Sequence, residues 1–180
     1  MRERVSSFVD SQCPCFLVQD TSTSTIIGAV KWRLVGHPQP DGTVSHITAT
    51  ELDEELKHPP KWLETDQDMW DAFYGILNGT TREVMDTKPY WILDLLVVDP
   101  EHERRGAGSL MVNWGCEKAD SQGVVAYVEA SPEGTPMYAK LGYETVKSVT
   151  FDSVKEVGRD VGYVYNFNVM IREPKGNKKE

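Results

Sequence analysis

Residues 104–109 read Arg-Arg-Gly-Ala-Gly-Ser and place two cations beside two glycines at the predicted start of a helix. Backbone N–H groups at a helix N-terminus bind anions, and the helix dipole adds a favourable field. Arginine side chains bind phosphate through paired hydrogen bonds. We therefore expect a phosphate-bearing ligand here, while tight packing alone is the competing explanation for a Gly-x-Gly helix start.

Two well-known phosphate loops do not fit this segment. The nucleoside-triphosphate loop requires Gly-x-x-x-x-Gly-Lys-Ser/Thr, a string that does not occur in the sequence. The dinucleotide-binding fingerprint requires a small residue three positions after its second glycine, where Met111 stands. An unrelated dinucleotide-binding domain would also need a fully parallel sheet.

Asp94 is the one charged residue inside the apolar run 90–98. A near-continuous apolar run of this length predicts a buried central strand. A carboxylate there needs either a partner or a chemical role. Strand alternation predicts that Asp94 shares a face with Leu96 and Val98. Asp94 is therefore either a candidate base or a carboxylate paired with an arginine.

The elements around these residues predict an α/β domain with hairpins at both ends. The second predicted helix ends at Asn78-Gly79, and residues 36–46 form a loop. We place one domain over residues 1–172 and a polar tail over 173–180. The predicted strands are 16–19, 26–35, 90–98, 124–129, 143–151 and 163–171, and the predicted helices are 50–56, 66–77, 109–121 and 135–140.

Composition narrows the range of partners. The 180 residues carry a formal net charge of −9, which argues against a nucleic-acid-binding surface and leaves room for cationic substrates such as amines. No apolar stretch is long enough for a membrane span, and the N-terminus lacks a secretion signal. The three cysteines and four histidines show no metal-ligand spacing, so we expect no metal. These features predict a cytoplasmic protein with no membrane partner.

Two motifs resemble those of the GNAT superfamily of N-acetyltransferases. Residues 96–110 are similar to the family's acetyl-CoA signature, with Glu103-Arg104-Arg105-Gly106-Ala107-Gly108 at its Gln/Arg-x-x-Gly-x-Gly/Ala core. Residues 128–143 resemble a later motif that typically ends in Tyr-x-x-x-Gly-Phe, here Tyr138 to Tyr143. The resemblance implies a mixed, mostly antiparallel sheet flanked by helices, with a splayed central strand.

The resemblance also implies the reaction and its residues. The expected function is acetyl transfer from acetyl-CoA to a primary amine, on a small molecule or a peptide. Tyr138 would be the general acid, and Glu129 or Asp94 the base. The pantetheine arm would pair with Leu96, Val97 and Val98. The pyrophosphate would bind a loop made of Glu103, Arg104, Arg105, Gly106, Ala107, Gly108 and Ser109.

Two features depart from the family's pattern, and the function and the oligomeric state each leave an alternative. Glu103 stands where the family usually has Gln or Arg. The N-terminus is expected to be shortened, because about ten residues precede Cys13 and leave room for only the end of a helix. A non-catalytic acyl-CoA-binding or partner-binding module on the same fold is the alternative function. Family members are often dimeric, so a homodimer is compatible with the resemblance.

Overall fold

The computed structural model describes residues 4–8, 11–59 and 64–176. The sheet strands within these ranges are β1 (Arg4–Phe8), β2 (Cys15–Asp20), β3 (Thr25–Val35), β6 (Tyr90–Val98), β7 (Val125–Ala130), β8 (Glu144–Asp152) and β9 (Val164–Arg172). Their order across the sheet is β1-β2-β3-β6-β7-β9-β8. Neighbouring strands are antiparallel except β6 and β7, which are parallel. The predicted mixed, mostly antiparallel sheet is confirmed, and a fully parallel dinucleotide fold is excluded.

A small hairpin of β4 (His37–Pro38) and β5 (Val44–Ser45) follows β3. The helices of the described residues are α1 (Ala49–Glu55), α2 (Gln67–Met85), α3 (Ala107–Gln122), α4 (Thr135–Lys140) and α5 (Ser153–Val157).

Helices cover both faces of the large sheet. One face packs against α3, whose Met111, Val112 and Cys116 join Trp32 and Trp91 in one core cluster. The other face packs against α2 in a second cluster around Tyr127 and Phe167.

A β-bulge at Asp94 bends the central strand β6. Lys31 on β3 pairs with Leu95 and Trp32 pairs with Leu93, so Asp94 is the extra residue on β6. The parallel ladder with β7 covers only the start of β6, from Tyr90 to Ile92. Past this point β6 stays paired with β3 while β7 stays paired with β9, and the sheet opens between β6 and β7.

The bulge also changes which face each side chain of β6 occupies. Leu96 and Val98 pack with Trp91 against the α3 cluster. Asp94 instead borders a cavity on the α2 face together with Ile92. The prediction that Asp94 shares a face with Leu96 and Val98 is therefore wrong, because one inserted residue inverts the alternation beyond it.

Helix α2 continues past Asn78-Gly79, where the sequence predicted its end. Asn78 uses its side-chain Nδ2 to donate to the carbonyl of Leu56 at 2.6 Å, which ties α2 to the end of α1. The following turns bury Thr81 and Met85 against the sheet. This burial outweighs the cost of about 1 kcal/mol for one glycine inside a helix.

The N-terminal segment and two connections also differ from expectation. Residues 4–8 form a strand rather than the end of a helix, because an extended segment can pair antiparallel along the open edge of β2. The predicted loop 36–46 contains the β4–β5 pairing. Helix α5 was not predicted, and Asp152 caps it by accepting from the Val154 amide. Residues 177–180 of the predicted tail lie outside the described residues.

Candidate active site

The glycine loop forms the N-terminus of α3. Gly106 occupies the cap position with φ of +98°, a left-handed conformation that favours glycine, and Arg104 before it also has positive φ. Gly106 has no side chain to cap the helix, so its place is left to other hydrogen-bond acceptors. The first-turn amides of 107–109 are therefore available to an anion.

A cavity of about 980 Å³ lies where α3 begins, bordered by the end of β6 and by α4. Eight of the ten predicted cofactor-binding residues line it. Other residues that line this cavity, among them Met137 and Lys140, were not predicted from the sequence. The eight predicted lining residues are Leu96, Val98, Glu103, Arg104, Gly106, Ala107, Gly108 and Ser109.

The remaining two predicted residues, Val97 and Arg105, are placed differently. The Val97 side chain is 51% exposed and its carbonyl oxygen lies against Gly28, where a Cβ would come within 2.8 Å of it. Arg105 donates from Nη2 to the carbonyl of Glu101 at 3.0 Å. Val97 and Arg105 belong to the strand end and the loop that border the cavity, but neither residue is part of its lining.

Gly108 keeps this cavity open. A Cβ at position 108 would lie 3.2 Å from Met137 Sδ and 3.7 Å from Val98 Cγ2, so any side chain there would project into the gap between them. The lining cations are Arg104 and Lys140, and His102 pairs through Nδ1 with Asp99 Oδ2 at 3.1 Å. A cradle of amides, cations and one required glycine suits a phosphorylated ligand.

A second cavity, of about 570 Å³, lies on the α2 face of the sheet. Its walls come from α1, α2, β3 and β6, with Glu129 contributed by β7. The first cavity borders β6 at Leu96 and Val98, and this one borders β6 at Tyr90 and residues 92–95. The two cavities therefore flank the same opening in the sheet from opposite faces.

Glu129 is held by two hydroxyl groups. Its Oε1 accepts from Tyr127 Oη at 3.0 Å and from Thr81 Oγ1 at 3.2 Å, and these two hydroxyls lie 3.1 Å apart. Burial raises the pKa of Glu129 to about 7, with a smaller contribution from the negative charge of Asp94, and the two hydrogen bonds act in the opposite direction. A carboxylate with this pKa can both accept and release a proton near neutrality.

Asp94 is engaged by cations. Both of its carboxylate oxygens accept from the Arg33 guanidinium at 2.9 Å, and Lys31 Nζ lies 3.5 Å from Oδ2. Arg33 also pairs with Glu55 at the end of α1. The expected alternative for Asp94, a carboxylate paired with an arginine, matches this arrangement.

Tyr138 lies in the α3-side core and is not among the residues that line either cavity. Its ring packs edge-on against Tyr143 with centroids 5.6 Å apart. A Cβ at Gly134, which lines the larger cavity, would lie 3.1 Å from Tyr138 Cε2, so the phenol sits directly behind that wall. Burial raises the pKa of Tyr138 to about 12, which keeps it protonated.

The hydrogen-bond partners of Glu129 and Asp94 were not predicted from the sequence. Tyr127 was detectable, because residues i and i+2 of a strand share a face and Tyr127 precedes Glu129 by two. Thr81 carried no signal, since the helix was expected to end before it. Arg33 lies 61 residues from Asp94, and only the strand register brings them together.

The comparisons with known proteins agree with this geometry. The sequence model of the acetyltransferase (GNAT) family matches residues 51–143, just over half of the chain. The chain belongs to the GNAT family of acetyltransferases. The match begins inside α1, well before the stretch from which the resemblance was recognised.

Individual relatives share low sequence identity with this GNAT chain or match only part of it. A protein of Stachybotrys chartarum named acetyltransferase is 32% identical over 76 residues, which cover 42% of this chain and 32% of that protein. The matched region thus spans about a third of the length of the fungal relative. The polyamine N-acetyltransferase of Drosophila melanogaster has the same fold, with a TM-score of 0.60 and 15% identity over 88% of this chain and 74% of that one. Arabidopsis thaliana NAA60 with a bisubstrate analogue gives a TM-score of 0.51 and 11% identity, over 93% and 78%.

The structure also bears on metal binding and on membrane spans. Across residues 4–8, 11–59 and 64–176, no three or more His, Cys, Asp or Glu side chains come together as metal ligands would. No helix in this described part of the chain is both long and apolar enough to span a membrane.

Proposed function

We propose that this chain is an N-acetyltransferase that transfers an acetyl group from acetyl-CoA to a primary amine of a small molecule or a peptide. One observation carries the proposal. A carboxylate with a pKa of about 7, Glu129, faces a cavity on one side of the opening in the sheet, and the glycine loop lines a cavity on the other. This arrangement separates a site for the amine from a site for the acyl donor.

The residues around the larger cavity fit acetyl-CoA. The first-turn amides of α3, with Arg104 and Lys140, would hold the pyrophosphate. Leu96, Val97 and Val98 lie past the end of the β6–β7 ladder, so the backbone on that side of β6 can pair with the amides of an extended pantetheine arm. Glu103 and Glu133 both line the same cavity, and their negative charges would reduce the affinity.

Acetyl-CoA, when bound, supplies a thioester whose acyl carbon forms a C–N bond with the amine while the C–S bond breaks and CoA leaves. The attacking nitrogen must lose a proton in this exchange, and Glu129 is the group that would take it. Since Tyr127 and Thr81 both donate to Oε1, the second oxygen, Oε2, is the one available to the amine. The arrangement of Asp94 favours Glu129 as the base, because an arginine and a lysine already compensate the Asp94 carboxylate.

Tyr138 would supply the proton that the departing thiolate takes up. Its phenol remains protonated at neutral pH because burial raises its pKa to about 12. Its ring lies directly behind Gly134 in the wall of the larger cavity, which lies where α3 begins. Donation therefore requires only the hydroxyl to reach the cavity, and Tyr138→Phe tests this by removing the hydroxyl while keeping the ring packed on Tyr143.

The first experiment is calorimetric titration of the purified chain with acetyl-CoA and with CoA. We expect binding at micromolar strength that Gly108→Val abolishes, because a valine side chain would fill the gap between Met137 and Val98. Amine-dependent release of CoA thiol then reports turnover. Glu129→Gln should lower kcat/KM by about 10²- to 10⁴-fold without changing the Kd for acetyl-CoA, and Asp94→Asn should cost much less.

Binding of acetyl-CoA without acetylation of any amine in a broad screen would contradict this proposal and favour the acyl-CoA-binding module. Two finer predictions from the sequence accompany the proposal. A homodimer is tested by analytical ultracentrifugation, and a cytoplasmic location by fractionation of cells that express the tagged chain.

A further inference from the structure

The cavity on the α2 face, here called the acceptor cavity, contains a closed cluster of charges. Arg33 holds the carboxylates of Asp94 and Glu55 together, and Lys31 adds a second cation beside Asp94. The Asp94 side chain is 17% exposed, and the Arg33 and Glu55 side chains are each 29% exposed. Two cations and two carboxylates therefore neutralise one another in a partly desolvated wall of the cavity.

This cluster leaves little negative charge for a ligand. In the described lining, the acidic side chains are Glu55, Asp94 and Glu129. Arg33 engages the first two, and the third is needed to accept a proton. A second ammonium or guanidinium group on the acceptor would meet Arg33 and Lys31 without a free carboxylate to balance it. Burying such a charge without a counter-ion is costly.

Apart from these charges and the polar side chains of Lys57, Asn78 and Thr81, the lining of the cavity is suited to an apolar group. Leu56 and Leu77 come from the helix pair α1 and α2, Tyr74 lies beside Leu77 on α2, and Ile92 and Leu95 come from β6. A hydrocarbon or aryl tail would bury apolar surface there at a gain of about 25 cal/mol per Å².

We propose that Arg33 makes the acceptor cavity selective for primary monoamines with an apolar tail, against diamines and other dications of similar length. This inference rests on the proposed acetyltransferase function and specifies its substrate class. Arg33 acts by occupying the two carboxylates that would otherwise bind a distal positive charge. Such selectivity would separate this chain from the polyamine N-acetyltransferase that shares its fold.

The test compares matched acceptors, n-pentylamine with 1,5-diaminopentane and phenethylamine with agmatine, by kcat/KM at saturating acetyl-CoA. The wild type should prefer the monoamine of each pair by about tenfold or more, which corresponds to about 1.4 kcal/mol. Arg33→Met frees Asp94 and Glu55, so it should reverse the preference. Arg33→Lys keeps the charge and should keep the monoamine preference.

Arg159 provides the matched control. It also joins two carboxylates, Asp66 at 2.8 Å and Asp68 at 3.2 Å, but it does not line the acceptor cavity. Arg159→Met should leave the preference unchanged. Equal kcat/KM values of the wild type for the diamines and the monoamines would overturn this inference while leaving the acetyltransferase function intact. Acetylation of no amine at all, with acetyl-CoA bound, would overturn both.

Discussion

Replacing Tyr127 by phenylalanine should move the pH profile of amine acetylation to higher pH. Tyr127 Oη donates a 3.0 Å hydrogen bond to Glu129 Oε1, and it can donate only weakly once that carboxyl is protonated and neutral. The bond therefore stabilises the ionised form of Glu129 and lowers its pKa against the effect of burial. Without the hydroxyl, the ionised base becomes less stable and its pKa must rise.

The size of this shift follows from the strength of the bond. A hydrogen bond to a charged group is worth about 1.5–3 kcal/mol, and one pKa unit corresponds to about 1.4 kcal/mol. The pKa of Glu129 should therefore rise by about one to two from its value of about 7. At pH 7 the ionised fraction would fall from about one half to about 1–10%, so kcat/KM should fall by about 5- to 50-fold there. Near pH 9.5 the variant should recover most of the wild-type rate.

The assay measures kcat/KM between pH 5.5 and 9.5 at saturating acetyl-CoA, together with the ¹³C chemical shift of the Glu129 carboxyl. Tyr90→Phe is the control, since the Tyr90 ring lies 5.7 Å from that of Tyr127 and is equally buried. It should leave the midpoint of the profile in place. Superimposable profiles of wild type and Tyr127→Phe would refute the role assigned to this hydrogen bond, and an unchanged carboxyl titration would refute it independently of turnover.

Three stability predictions follow from the same structure. Burial raises the pKa of Glu129 from 4.5 to about 7, so the folded state loses stability as the pH rises between these values. Glu129→Gln should therefore raise the free energy of unfolding in urea by up to about 3 kcal/mol at pH 8 and leave it unchanged below pH 4.5. Gly115→Ala should lower the free energy of unfolding in urea by about 1–3 kcal/mol, because the new Cβ would lie 2.2 Å from the fully buried ring of Trp32. Arg172→Met should cost about 3 kcal/mol, since it leaves Asp120 without the guanidinium that donates to both of its oxygens at 2.8 Å; a variant as stable as wild type would show that the pair contributes nothing.

The donor side of the site was predictable because its signals are local. The glycine pair, the two arginines and the apolar strand before them lie close together in sequence, and they predict a helix from residue 109, two residues after the observed start of α3. The strand prediction 90–98 matches β6 at both ends, since a continuous apolar run bounded by Asp99-Pro100 and Pro89 has few alternatives.

The acceptor side was not predictable, because its parts meet only through long-range pairing. The bulge at Asp94 exists only in the register between β3 and β6, and nothing in the residues of β6 alone specifies it. The ion pair of Arg33 with Asp94 and the contacts of Thr81 with Tyr127 and Glu129 join residues 46 to 61 positions apart. Alternation along a single strand therefore gave the wrong face for Asp94.

Different segments of the sequence build the walls of the two cavities. The segment 36–88 lies between β3 and β6 and folds into α1 and α2, which build the helical wall of the acceptor cavity. The sequence motifs of the family, residues 96–110 and 128–143, lie mostly around the glycine-loop cavity, and within them Glu129 borders the acceptor cavity. A motif match can thus predict the acyl donor while carrying little information about the amine. We propose that the choice of amine rests on the lining of the acceptor cavity, to which α2 contributes Leu77. Exchanging α1 and α2 with those of another GNAT protein should then change amine preference and leave acetyl-CoA binding intact.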